Sequence, residues 1–343
     1  MAIFALVVVG LVACAEEPAV PPEPTPAPTA SAPTAESVAP QSYWDIECDD
    51  ILGAEDIEAI GLAVAPVDRV VPGRPGILPE DYVIQTVGGL ACSWSDGVGV
   101  GTAAESYIRF EAIPKAQEQW AHPWHVPQGP DCFDVTCVAE VLTVDGSWIT
   151  LTVHGAAAEP TAFDPTVEGV VAELDGAERT ELAGVPEQHL AEDCEDLAAM
   201  QSIRAAFDTS ATLEYGTAGG GWSLFSAAQT LAGLPAIPSC FIQSQGNRAA
   251  FGQITLLQEA AWAFDKEGVS AGERVTLAGA DDDAGYRTCG SDFDGCTVDF
   301  MVDDTWVRVA VFVPEPLVPG ESIDPGSSSP PEAAVNIAEI IVA

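Results

Sequence analysis

The chain has 343 residues, with 11 Lys or Arg against 53 Asp or Glu, for a formal net charge of −42. Apolar residues make up 48% and charged residues only 19%, so a hydrophobic core is affordable where a disordered acidic chain would have none. A surface of this sign repels phosphate backbones and anionic headgroups, which argues against nucleic acid and peripheral membrane binding.

The chain opens MAIFALVVVGLVAC. Thirteen residues of helix rise about 20 Å, short of a ~30 Å hydrocarbon core, but suited to the apolar region of a signal peptide. Leu11-Val12-Ala13-Cys14 resembles the bacterial lipobox. That resemblance implies that residues 1–13 are removed and that Cys14 carries diacylglycerol through a thioether. The membrane is then a partner through the lipid alone. No Lys or Arg precedes Arg69, so the usual basic start of a signal peptide is missing, which points to an upstream start codon. Residues 14–42, rich in Pro, Ala, Thr and Ser, read as a tether holding a domain off a surface.

Nine cysteines less Cys14 leave eight, an even set in an exported chain, which reads as a disulfide framework. Eight cysteines allow 105 pairings, and spacing selects among them. Cys48 to Cys92 spans 44 residues and Cys194 to Cys240 spans 46; Cys132 to Cys137 spans 5 and Cys289 to Cys296 spans 7. The pattern occurs twice, so the expected bridges are Cys48–Cys92, Cys132–Cys137, Cys194–Cys240 and Cys289–Cys296. Neither zinc knuckles nor a C-x-x-C redox motif fits these spacings.

The duplication extends beyond cysteine. Val144-Asp-Gly-Ser-Trp-Ile-Thr-Leu-Thr-Val153 matches Val302-Asp-Asp-Thr-Trp-Val-Arg-Val-Ala-Val311 position for position. A first repeat over 43–176, a linker over 177–189 and a second repeat over 190–343 follow.

In chain order, helices open at Cys48 and Cys194, each with acidic residues in the first turn. Strands carry Cys92 (90–94) and Cys240 (238–242), and further strands follow at 106–111 and 249–256. Short helices are expected near 114–121 and 257–267. Hairpins come next, 138–144 with 147–153 and 297–302 with 305–313. Asp145-Gly146 reads as a strong two-residue turn and Asp303-Asp304 as a weaker one. Proline-led helices, 166–174 and 332–340, close the halves. The fold class is α+β, two tandem antiparallel sheets with flanking helices and two disulfides each.

Candidate binding residues are Trp148 and Trp306, which lie opposite the apolar strand faces Ile149/Leu151/Val153 and Val307/Val309/Val311. They form either an aromatic platform or internal packing. Trp120, His122, Trp124 and His125 form either a second binding surface or loop packing, with Pro123 spoiling a helical His-x-x-His metal geometry. Asp281–Asp283, Asp292 and Asp294 lack the register of an EF-hand and read as a solvated acidic turn or a weak calcium site. Gly97–Gly101 lacks G-x-G-x-x-G and reads as a turn, as Gly219–Gly221 reads as a loop. No nucleophile constellation is legible. Expected metals and cofactors are none.

The lipobox, the tether, the acidic Ala/Gly-rich composition and the four-cysteine units resemble actinobacterial envelope lipoproteins of unknown function. They are more distantly similar to the two-disulfide extracytoplasmic sensor domains of mycobacterial serine/threonine kinases. The resemblance implies a lipid-anchored, non-catalytic module on the extracytoplasmic face of the plasma membrane, binding an envelope protein or a small ligand. The alternative is an exported hydrolase with an unrecognised site.

Overall fold

Side chains alternate across a strand, so a sheet with an apolar face must have that face covered. The computed structural model describes residues 38–67, 79–96, 106–115, 131–155, 160–182, 190, 194–217, 239–245, 248–266, 269, 272–290, 295–314 and 323–343.

The first half contains β1 (Trp44–Asp45), α1 (Cys48–Ile51), α2 (Ala54–Ile60), β2 (Ala65–Val67), a 3-10 turn (Pro79–Tyr82) running into α3 (Val83–Thr86), β3 (Leu90–Ser95) and β4 (Tyr107–Ile113). It continues with β5 (Asp131–Phe133), β6 (Thr136–Leu142), β7 (Trp148–His154), α4 (Pro160–Gly176) and β8 (Glu178–Arg179). The second half contains α5 (Cys194–Leu197), α6 (Met200–Phe207), β9 (Leu213–Thr217), β10 (Ser239–Ser244), β11 (Ala250–Leu257), α7 (Ala261–Lys266) and β12 (Glu273–Thr276). A 3-10 turn (Asp281–Asp283) then leads to β13 (Ala284–Gly290), β14 (Gly295–Val302), β15 (Thr305–Phe312) and α8 (Pro330–Val342).

The fold is α+β with antiparallel sheets. The order β2-β3-β4-β7-β6-β5 of the first sheet recurs as β9-β10-β11-β15-β14-β13 in the second, where β12 adds an edge. Helices cover one face of each sheet. In the first half Ile57, Ile60, Phe163, Val170 and Leu174 meet Trp94, Phe110, Ile149 and Leu151. In the second, Ile203, Phe207 and Ile337 meet Ile242, Phe251, Val298 and Val309. The last helix starts where its sequence directs: Pro330 stands in the first turn and the Ser329 N–H donates to the Glu332 carboxylate at 3.1 Å, a capping box. The loop before it closes on the end of α6 through Gly326 (φ +86°), where a Cβ would lie 2.0 Å from the Phe207 carbonyl oxygen.

Four disulfides join Cys48 to Cys92, Cys132 to Cys137, Cys194 to Cys240 and Cys289 to Cys296, each within one half. The first and third tie a helix start to a strand, closing loops of 44 and 46 residues. In the chain-entropy view, loops of that size are worth about 4 kcal/mol each. The other two bridge directly opposite residues, on β5/β6 and on β13/β14.

Several local expectations need correction. Asp145-Gly146 is not a two-residue turn: Thr143 and Ser147 face each other, with the Thr143 N–H donating to the Ser147 carbonyl at 2.9 Å, and Gly146 is left-handed at φ 82°. The Asp145 carboxylate organises this longer loop, accepting from the Thr143 hydroxyl at 2.5 Å and the Ser147 N–H at 3.1 Å. The two-residue turn is Asp303-Asp304, between the paired Val302 and Thr305, with Asp303 at φ 45°. The helix expected from 166 begins at Pro160 and carries Pro165 inside it, where the missing N–H leaves the Thr161 carbonyl without its intrahelical donor. Residues 114–115 form a turn, and the rest of the helix expected near 114–121 lies outside the described residues. Leu257 still belongs to β11, and the helix begins only at Ala261. The linker's first residues are not free: Glu178–Arg179 pair with Trp44–Asp45, and Arg179 reaches Asp145 at 3.3 Å.

The tryptophan faces meet a third cluster that belongs to both halves. Tyr82, Val83, Ile84, Ile113 and Trp148 pack with Leu257, Trp262, Phe264 and Trp306. Tyr82 meets Trp262 edge-on at 5.2 Å, and Phe264 meets Trp306 edge-on at 5.8 Å. Trp306→Ala opens this cluster and is expected to cost about 3–5 kcal/mol in urea unfolding. Burial alone would raise the Asp145 pKa, but the hydrogen bonds from Thr143 and Ser147, together with Arg179, bring it below the usual carboxylate value. Its contribution is therefore fully present above the unfolded carboxylate value and is lost as pH falls below that value and through the lower folded one. Asp145→Asn is expected to lower the thermal midpoint at pH 7, with the difference closing below about pH 4.

Candidate functional site

Trp148 and Trp306 were candidates for an exposed platform; the structure buries them, Trp306 completely. Each sits where the rear face of its sheet meets the cluster shared by the halves, so neither offers a surface to a partner. Trp120, His122, Trp124 and His125 lie outside the described residues, as do Cys14, His189, Gly97–Gly101, Gly219–Gly221, Asp292 and Asp294. His154 stacks on Tyr107 at 5.0 Å, with its Nδ1 2.7 Å from the Thr136 hydroxyl. Asp281–Asp283 form a tight turn in which Asp281 accepts the Asp303 N–H at 3.2 Å. Among the described residues no group of three or more His, Cys, Asp or Glu is placed to hold a metal.

Beyond the tryptophans the rear faces carry buried polar rows at matching positions. Glu111, Thr150 and Glu140 lie side by side on β4, β7 and β6. Thr255, Arg308 and Asp299 take the same places on β11, β15 and β14. All but Arg308 are nearly inaccessible. Arg109 pairs with Glu111, and Arg308 donates to Asp299 at 2.5 Å. Asp299 also accepts the Trp306 indole N–H at 2.8 Å, while the Arg308 guanidinium lies 5.3 Å from the Trp306 ring centre. Each row thus carries a buried or part-buried ion pair inside the protein. Arg308→Met strands the Asp299 carboxylate, and the expected loss is about 3–5 kcal/mol by urea unfolding.

An open groove lies on the other side of the first sheet. It has a volume of about 680 Å³ and runs between α1–α2 and the edge strand β2. Leu52, Ile57, Leu62, Val64, Pro66 and Trp94 supply its apolar lining, and Asp49 and Glu58 stand on it with no Lys or Arg among the described residues. The sequence places these residues by ordinary rules. Acidic Asp49 and Asp50 open α1, and left-handed Gly61 (φ 87°) ends α2 and turns the chain toward β2. The Cys48–Cys92 bridge fixes the α1 end against β3.

Trp94 is wholly buried, yet among the described residues its indole N–H has no hydrogen-bond partner. Trp262 Nε1 and Thr150 Oγ1 share that condition, but neither residue borders the groove. A buried donor left unmade costs about 1–3 kcal/mol, which an acceptor brought by a ligand would recover. The size falls within the range of small-molecule sites. The acidic rim favours a neutral or cationic occupant. Sequence reasoning missed this site because its residues, one stretch from Asp49 to Pro66 with Trp94 beside it, share no motif.

No family model matches the chain, and no curated protein matches it. Among solved structures, the di-domain ARO/CYC StfQ from the steffimycin biosynthetic pathway aligns at 10% identity with a TM-score of 0.14, over 73% of this chain and 84% of that one. A likeness at that level carries no argument about fold or function.

Proposed function

We propose that the chain is an exported, non-catalytic binding module, lipid-anchored through Cys14 at the extracytoplasmic face of a bacterial plasma membrane. Its ligand occupies the groove between α2 and β2. The observation that carries this reading is the unpaired, buried Trp94 N–H on a residue lining an open, mostly apolar groove. The four disulfides fit maturation in an oxidising, extracytoplasmic compartment. The lipobox and the tether over 14–42 supply the anchor in this reading. The net charge of −42 supports a ligand that is not anionic.

One experiment covers both parts: native mass spectrometry of the full chain extracted in mild detergent. The expected spectrum shows a covalent diacylglycerol on Cys14 and an additional noncovalent small-molecule mass. Ala63→Trp places a large ring on an exposed lining position. It should remove the noncovalent mass and leave the thermal midpoint unchanged. A wild-type protein that carries its lipid but no ligand, natural or supplied from a metabolite extract, would overturn the groove reading.

A further inference from the structure

The duplication supplies an internal template for what the groove accepts. Cys92 and Cys240 hold the same place in their sheets, bridged to the starts of α1 and α5. Two residues further on, Trp94 and Ile242 face the two cores. Their partners on the edge strands are Pro66 on β2 and Tyr215 on β9. Tyr215 packs against the second core, and its hydroxyl donates to the carbonyl of Ala198, the residue just after α5. The residue just after α1 is Leu52, which lines the groove. The second repeat thus places a phenol of its own between edge strand and helix corner, where the first repeat has a proline and an open space.

Resting on the binding reading above, we infer that the groove takes a small molecule presenting a hydroxyphenyl group, with a neutral or cationic remainder. The ring takes the place that Tyr215 fills in the other repeat. In this placement the hydroxyl would accept from the Trp94 N–H, where the second repeat has only the apolar Ile242, and donate to the helix-corner backbone, as the Tyr215 hydroxyl donates to Ala198. The groove of about 680 Å³ leaves room for more than one ring. Asp49 and Glu58 at its rim select against a carboxylate or phosphate on that remainder.

The test is calorimetric titration of the full detergent-extracted chain with tyramine, phenethylamine and 4-hydroxyphenylacetate. Tyramine should bind at one site. Phenethylamine, lacking the hydroxyl, should bind at least about tenfold more weakly, because the site's polar groups are then left unpaired. The anionic 4-hydroxyphenylacetate should also bind more weakly than tyramine. Pro66→Tyr supplies the missing phenol in cis and should abolish tyramine binding with a thermal midpoint equal to or above wild type. Should that variant fold poorly, Trp94→Phe tests the same point: it keeps an aromatic ring and removes the donor, and should weaken tyramine about tenfold. Equal binding of tyramine and phenethylamine, or tyramine binding undiminished by both variants, would overturn the inference. If tyramine fails while Ala63→Trp still expels a copurified ligand, only the hydroxyphenyl assignment falls. If neither binds, the binding reading falls with it.

Discussion

A single sheet has two faces, and the helices of each half cover only one. The other face of each sheet must be covered as well, and at the turn end the two halves do this for each other. The cluster around Tyr82, Trp262 and Trp306 is therefore the contact on which the arrangement of the halves depends. Its members come in matched pairs: Ile113 beside Trp148 in the first sheet, Leu257 beside Trp306 in the second. Dispersion and area burial among large rings contribute most of its cohesion, and the Trp306 indole N–H ties the cluster to Asp299.

With the rear faces joined, the helix sides of the sheets remain to carry a ligand. There the long-loop disulfides set the geometry. Each fixes the first turn of a helix to the second strand of its sheet and leaves the following helix and edge strand free to differ between copies. The groove lies where that freedom exists. Its position owes more to the staple at Cys48–Cys92 than to any residue that touches the ligand space.

Much of this was legible from periodicity and spacing. The paired gaps between cysteines select the four bridges because each repeat reproduces the other's distances. The alternation in Trp148–Val153 and Trp306–Val311 predicts which side chains enter the cores. Short strands were not legible: β1 and β8 have two residues each, and β2 contains Pro66, so neither period nor propensity marks them. The fate of the tryptophans also lay beyond the sequence, since a face opposite a core is exposed or buried according to what packs on it. The groove was hidden for a related reason. Leu52, Ile57, Pro66 and Trp94 look like ordinary core and edge residues until the other repeat shows what is missing beside them.

The two copies have diverged differently on their two faces. On the rear face, Glu111 and Glu140 flank Thr150 in one copy, whereas Thr255 and Asp299 flank Arg308 in the other. The neutralising arginine has moved from β4 to β15, but an ion pair persists in each sheet, because a buried carboxylate without a partner is too costly to keep. On the helix side the exchange is of another kind. Trp94 with Pro66 faces Ile242 with Tyr215, one large ring per pair in either case. A swap of that sort conserves core volume but not its position. A ring on the edge strand closes the gap to the helix corner, as Tyr215 does at Ala198; a ring on the inner strand leaves that gap open and brings an N–H that the core does not satisfy. Packing alone explains why the volume was kept. It does not explain why the copy with the open gap also carries the unpaired donor, and a ligand hydroxyl accounts for both.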